Sequence, residues 1–122
     1  MRIGIDAGRA LHGEGGVAAY TRELIAGLVR HAPAEEVVLV DLDRGRRGQA
    51  EYERSLGPLP PAVEIAPAER RVLAGLDLFH APGFAMPPGG APHHVLTLHD
   101  LTVLSHPECH TAANRARTVV AV

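Results

Sequence analysis

Lysine and tryptophan are absent from this 122-residue chain, and cysteine occurs once, at Cys109. A single cysteine excludes a disulfide within the chain and fits a reducing compartment, the cytoplasm being the simplest. All 12 strongly basic side chains are arginines, set against 14 acidic ones for a formal charge of −2. That balance suggests no basic stripe, which argues against nucleic acid or anionic lipid as the main partner. The lack of lysine beside abundant alanine, glycine and proline points to GC-rich coding and says nothing about chemistry. Aromatic residues are few: Tyr20, Tyr52, Phe79 and Phe84. The core must therefore rest on leucine, valine, isoleucine and alanine. No apolar run approaches the ~20 residues of a membrane span. The N-terminus lacks a signal-peptide layout, because Ile3-Gly4-Ile5 runs straight into the charge of Asp6.

What is present reads as one soluble globular domain over 1–122, with 46% hydrophobic and 21% charged residues. Residues 2–6 form a short apolar run, a buried strand. Gly8, Gly13, Gly15 and Gly16 make 7–16 a loop. Over 17–31 the period changes: Val17, Tyr20, Leu24 and Leu28 recur at helical spacing, with Thr21, Ile25 and Val29 beside them. Pro33 ends that helix. Val37–Val40 is continuous rather than alternating, as in a parallel sheet covered on both faces. Residues 41–48 read as exposed loop, 49–56 as a short helix, 63–66 as an edge strand and 68–75 as helical turns. Residues 76–80 and 95–98 read as two more strands, separated by a proline- and glycine-rich loop over 82–92. Thr111 to Val122 has helical character. The alternation predicts an α/β, Rossmann-like open parallel sheet with helices on both faces. The last helix stops at Val-Val-Ala-Val without a cap, so the domain is expected to be incomplete at its C-terminus.

Ligands of open parallel sheets bind beyond the carboxyl ends of the strands. Asp6, His80, and the pair His99-Asp100 end three of the predicted strands, so one cleft could use them all. Gly15-Gly16 precedes the strong helix. Its free N–H groups suit an anion, phosphate or carboxylate; the plainer reading is a tight turn with a glycine cap. His99 at a strand end could donate to a sugar hydroxyl or accept a proton. The plainer reading bonds it to a neighbouring backbone group, with Asp100 capping the next turn. His93, His94, His99, Asp100, His106, Cys109 and His110 form a dense set that zinc would accept. They lack H-x-x-x-H spacing on a helix and a C-x-x-C pair, and Pro92 and Pro107 put several of them on loops. No metal site is expected, and Cys109 is read as incidental. Phe84 and Met86 could wall the cleft, meet a partner, or pack as a lid on their own domain.

Together, several segments resemble the retaining glycosyltransferases of family four. Met1 to Asp6, Gly15-Gly16-Val17 and Tyr20, Thr21, Glu23 and Leu24 are similar to the start of that family. Asp77-Leu78-Phe79-His80-Ala81-Pro82 resembles its fourth strand and following loop. Val95 to Leu101 followed by His106-Pro107-Glu108 resembles its fifth strand with the His-Asp pair. The resemblance covers most of the chain from 1 to about 120. It implies the amino-terminal, acceptor-side domain of a GT-B enzyme, which faces a second doubly wound domain across a cleft. It further implies that Gly15 and Gly16 lie near the donor phosphates and acceptor, with His99 beside the donor sugar. Transfer of a hexose from a nucleotide sugar to a saccharide or lipid-linked acceptor would proceed with retention, without cofactor or metal. The donor phosphate would help deprotonate the acceptor hydroxyl. Many relatives have Gly and Arg where this chain has Ala18 and Ala19, a departure that bears on both the direct backbone contact and any Arg–phosphate contact the resemblance would imply. The second domain, with the nucleotide pocket, a basic pair and an acidic motif, is absent from these residues, so the chain alone is expected to be inactive. Work at the inner face of a membrane is compatible with a lipid-linked acceptor.

Two other readings remain open. A small Rossmann-like nucleotide-binding module would use Asp41 or Asp43 on ribose. A non-catalytic association domain would form homo-oligomers through an unpaired sheet edge or the terminal helix.

Overall fold

The computed structural model describes residues 1–42, 49–83, 86–87 and 89–121. Most of the expected 41–48 loop, Asp43 included, lies outside the described residues, as do Phe84 and the side chains of Val119 and Val120.

Five strands form one sheet: β1 (Arg2–Asp6), β2 (Glu36–Val40), β3 (Val63–Ile65), β4 (Leu78–Ala81) and β5 (His93–Leu96). Their order is β3-β2-β1-β4-β5 and every pairing is parallel. The chain winds outward from β1 to β3, then returns to the other side of β1. This is the Rossmann-like order, and its switch point falls between the carboxyl ends of β1 and β4. The helices are α1 (Gly8–His12), α2 (Gly16–His31), α3 (Gln49–Leu56), α4 (Arg70–Ala74), α5 (Thr102–Ser105) and α6 (Ala112–Ala121), with a 3₁₀ turn at Pro107–Cys109.

Alternation along the strands divides the core in two. Ile3, Ile5, Val37 and Leu39 face one side, where they meet Ala10 of α1, Ile25 of α2 and Tyr52 of α3. Val38, Val40, Phe79 and Ala81 face the other, packing on Leu73 of α4 and on Leu76, Ala91 and Met86. Helices therefore cover both faces, and Met86 packs as a lid on its own domain. Full burial of Phe79 contributes about 1.5–3 kcal/mol.

Three sequence-based boundaries need correction. The 7–16 loop contains a helical turn, α1, because Asp6 turns back to accept the Gly8 N–H and starts it. The strand expected from 76 begins at Leu78; Leu76 is buried in the preceding turn, where its N–H bonds to the Leu73 carbonyl. The strand expected at 95–98 runs over His93–Leu96. His93 and His94 are thus strand residues, not loop residues, and they are tolerated there because β5 is an exposed edge of the described sheet.

The buried stripe of α2 also differs from the expected one. Ala18, Thr21 and Ile25 are buried, whereas Tyr20 is 37% exposed. The stripe is turned by one residue, about 100°. Thr21 can enter the core because its hydroxyl donates to the Val17 carbonyl one turn back. The turn releases Tyr20 toward the β5 side of the sheet.

Candidate functional site

The carboxyl ends of β1, β4 and β5 carry the predicted residues, and the structure sorts them into three groups.

The first centres on His99. Its Nε2 lies 2.6 Å from the carbonyl oxygen of the buried Pro82, in the turn after β4. A carbonyl only accepts, so Nε2 carries the proton. In the neutral ring Nδ1 is then the bare lone pair, and nothing among the described residues is hydrogen-bonded to it. The Tyr20 ring meets His99 edge-on, with centroids 4.9 Å apart. The Tyr20 hydroxyl lies 3.2 Å from the Thr97 hydroxyl, which in turn lies 2.8 Å from Nε2 of His80. Burial pushes the His80 pKa below its ordinary value, because a charged imidazole loses hydration there. His80, Thr97, Tyr20 and His99 are therefore one connected set drawn from β4, α2 and the segment after β5.

Gly15 and Gly16 start the helix that carries Tyr20. Gly15 caps α2 at φ 84° and ψ −166°, backbone that favours glycine. A side-chain carbon at either glycine would meet nothing within 4 Å, so the helix end stands open. Tyr20 is four residues along α2 from Gly16, ~6 Å along the axis. Arg22 holds the approach to this end: Nε donates to the Ala10 carbonyl and Nη2 to the Gly13 carbonyl, both at 3.0 Å.

The second group lies deeper. Asp6 is buried, and its Oδ1 accepts the backbone N–H of Gly8 at 3.1 Å and of Leu42 at 3.3 Å. It ties the ends of β1 and β2 together. Asp41 is fully buried and lies 2.8 Å from Nε2 of His12. A side chain at Gly8 would meet Asp41 Oδ1 at 2.9 Å and Asp6 Oδ1 at 3.2 Å. The two carboxylates thus close over a residue that has to be glycine. Neither His12 nor its bond to Asp41 is foreseeable from sequence, because the pair spans 29 positions.

The third group is Asp100 with its neighbours. Oδ1 accepts the Thr102 N–H and Oδ2 the Thr102 hydroxyl, each at 2.7 Å, and Nε2 of His110 reaches the same hydroxyl at 2.9 Å. Those two bonds to the anion hold the Asp100 pKa below its usual value. Asp100 bonds Thr102 at the start of α5, and His99 bonds to backbone, so the pair takes the plainer arrangement. The cluster spanning His93 to His110 does not converge. Among the described residues, no three His, Cys, Asp or Glu side chains could together hold a metal ion.

Thr97 and Tyr20 carry the connections in the first group, and neither stands out in the sequence as a site residue. Tyr20 was hidden by its helical spacing, which suited a core position. Thr97 sits inside an apolar run and gave no signal. Among the described residues no helix is long and apolar enough to cross a membrane. Compared with protein-family models, with curated proteins and with solved structures, the chain matches none.

Proposed function

We propose that this chain is the acceptor-side domain of a retaining glycosyltransferase of GT-B type. The transferase would move a hexose from a nucleotide sugar to a saccharide or lipid-linked acceptor on the cytoplasmic side. The observation that carries the reading is the state of His99. Its Nε2–H is committed to the Pro82 carbonyl, which leaves Nδ1 for a hydroxyl of a sugar. Tyr20 flanks it, and the open end of α2 at Gly15 and Gly16 lies one turn away. An aromatic face, a positioned imidazole and free backbone N–H groups suit a sugar next to a phosphate. All of this stands at the carboxyl edge of the sheet, where ligands of such sheets bind.

In this reading the residues of the chain supply position and electrostatics. Nδ1 of His99 accepts a sugar hydroxyl proton in a hydrogen bond. The α2 N-terminus stabilises phosphate charge. No metal or other cofactor has a part. Asp6 and Asp100 shape the edge through backbone bonds, and His80 acts from behind Thr97. A second domain provides the nucleotide pocket.

The dinucleotide alternative is weakened by Asp41, whose carboxylate is fully buried against His12 and so turned away from a ribose.

The test is a titration of the isotope-labelled chain with maltose, methyl α-mannoside, inorganic phosphate and NAD, followed by NMR. Saccharide shifts at His99 and Tyr20 and phosphate shifts at Gly15 to Val17 are expected. Responses to NAD alone, centred on 40–42, would favour a nucleotide module. Efficient turnover of UDP-glucose or GDP-mannose by the chain alone would overturn the need for a second domain.

A further inference from the structure

The bonds joining His80, Thr97 and Tyr20 constrain one another by proton count. Thr97 has one O–H to give and two lone pairs, and Tyr20 likewise has a single O–H. Thr97 Oγ1 stands between Nε2 of His80 at 2.8 Å and the Tyr20 hydroxyl at 3.2 Å. If Nε2 of His80 carries a proton, it donates to Thr97, whose own O–H is then free to go to Tyr20 and let the Tyr20 O–H point onward. If Nε2 is bare, every bond reverses: Tyr20 donates inward and offers only lone pairs outward. The inner end of this chain is part-buried and its outer end exposed, so the outward group is the one a ligand meets.

Burial keeps the His80 imidazole neutral near pH 7, so the choice lies between two tautomers rather than between charge states. A tautomer is selected by the partners of the two ring nitrogens. Among the described residues Nδ1 of His80 has no hydrogen-bond partner, so no protein acceptor draws the proton there. The intrinsic preference of imidazole side chains for the Nε2–H form then keeps the proton on Nε2 and leaves the Tyr20 O–H free to point outward.

We infer that Tyr20 is a specificity-determining residue whose hydroxyl donates to an oxygen of the bound saccharide, a polarity that Nε2–H of His80 permits through the Thr97 hydroxyl and that a bare Nε2 would block. This rests on the transferase reading for the class of ligand; the polarity of the bonds does not. Beside it, Nδ1 of His99 accepts. The pair therefore presents one donor and one acceptor, across rings whose centroids are 4.9 Å apart. Neighbouring hydroxyls of a sugar can satisfy both at once, each being donor and acceptor. An acceptor-only group such as phosphate satisfies Tyr20 and leaves His99 unpaired.

Two measurements on the whole chain separate the parts. Long-range ¹H–¹⁵N NMR on imidazole-labelled protein reads the His80 tautomer without any ligand. The Nε2–H form is expected in the wild type and in Thr97→Ser; a bare Nε2 in the wild type overturns the inference. Titration with maltose then compares the wild type with Tyr20→Phe, Thr97→Val and Thr97→Ser. Loss of one hydrogen bond should weaken binding about three- to tenfold in Tyr20→Phe. Thr97→Val should show a comparable loss and Thr97→Ser should restore affinity. A purely structural Thr97 would not separate serine from valine in this way. Maltose shifts at His99 with unchanged affinity in Tyr20→Phe would overturn the role of Tyr20 while leaving the transferase reading intact. No shifts from maltose, with His80 in the Nε2–H form, would instead remove the saccharide class and, with it, the ligand part of the inference.

Discussion

Nε2 of His99 donates its proton to the carbonyl oxygen of Pro82 at 2.6 Å, across 17 positions of sequence. This one bond fixes the ring's tautomer and aims Nδ1 as the group with chemistry to offer. It also joins the turn after β4 to the segment after β5, across the edge where a ligand of this fold would sit.

Replacement of His99 should separate the two nitrogens. Glutamine places a donor near the Nε2 position and can keep the Pro82 bond, while asparagine mimics the position of Nδ1. In a two-domain transferase containing this chain, His99→Gln and His99→Ala should both lower kcat by about 10²–10³-fold, with a smaller change in acceptor KM. Steady-state kinetics checks this. Full kcat in His99→Gln would remove Nδ1 from the mechanism.

Arg22 should behave as the strut of the glycine loop. It bonds two carbonyls from a part-buried position. Arg22→Ala should cost about 1.5–3 kcal/mol in chemical denaturation. It should also speed amide hydrogen exchange over Gly13 to Val17. Lysine has no planar fork with which to reach both carbonyls, so Arg22→Lys should recover only part of the loss.

Gly8→Ala should be destabilising in spite of alanine's higher helix propensity. The added carbon would lie 2.9 Å from Asp41 Oδ1 and 3.2 Å from Asp6 Oδ1. Both carboxylates are buried and cannot move aside freely. A loss of about 1–3 kcal/mol is expected, measured by urea denaturation. An unchanged midpoint would show that the α1 turn is loosely held.

Stability should fall as pH drops through and below 6.5, the ordinary value from which burial lowers the His80 pKa. In that range the unfolded chain takes up a proton at His80 before the folded one does, so protonation favours unfolding. The penalty is absent above this window and complete below the folded pKa. Asp100 behaves differently. Its pKa is depressed from 3.8, so its stabilising effect is present above that value and is lost as pH falls through the folded pKa. Denaturation midpoints from pH 4.5 to 8 should therefore show a slope that His80→Gln flattens and Asp100→Asn leaves in place.

Much of the fold was legible because its signals are local. Val37–Val40 shows its burial as an unbroken apolar run, and the 17–31 period announces α2. Boundaries failed where a long-range contact decides them. Leu76 looks like strand but packs within the turn before β4, and His93 and His94 look like loop but pair with Leu78 and Phe79. The places of the candidate residues on the sheet were legible, and their bonds were not. Asp6, His80, His99 and Asp100 could be placed on one edge from topology alone. That Asp6 binds backbone, that Asp100 bonds Thr102 and that His99 bonds Pro82 depend on distances no spacing encodes.

By itself, the sequence determined the class of the fold, the two-sided burial of its central strands and the strong helix behind Gly15-Gly16, because periodicity and backbone preference act over a few residues. Only the tertiary structure decided which way α2 faces. Its one-residue turn takes Tyr20 out of the core and sets it against Thr97 and His99, 77 and 79 positions away. That choice belongs to packing: Ala18, Thr21 and Ile25 are the buried residues of α2, and close-packed interiors penalise the bulkier alternative.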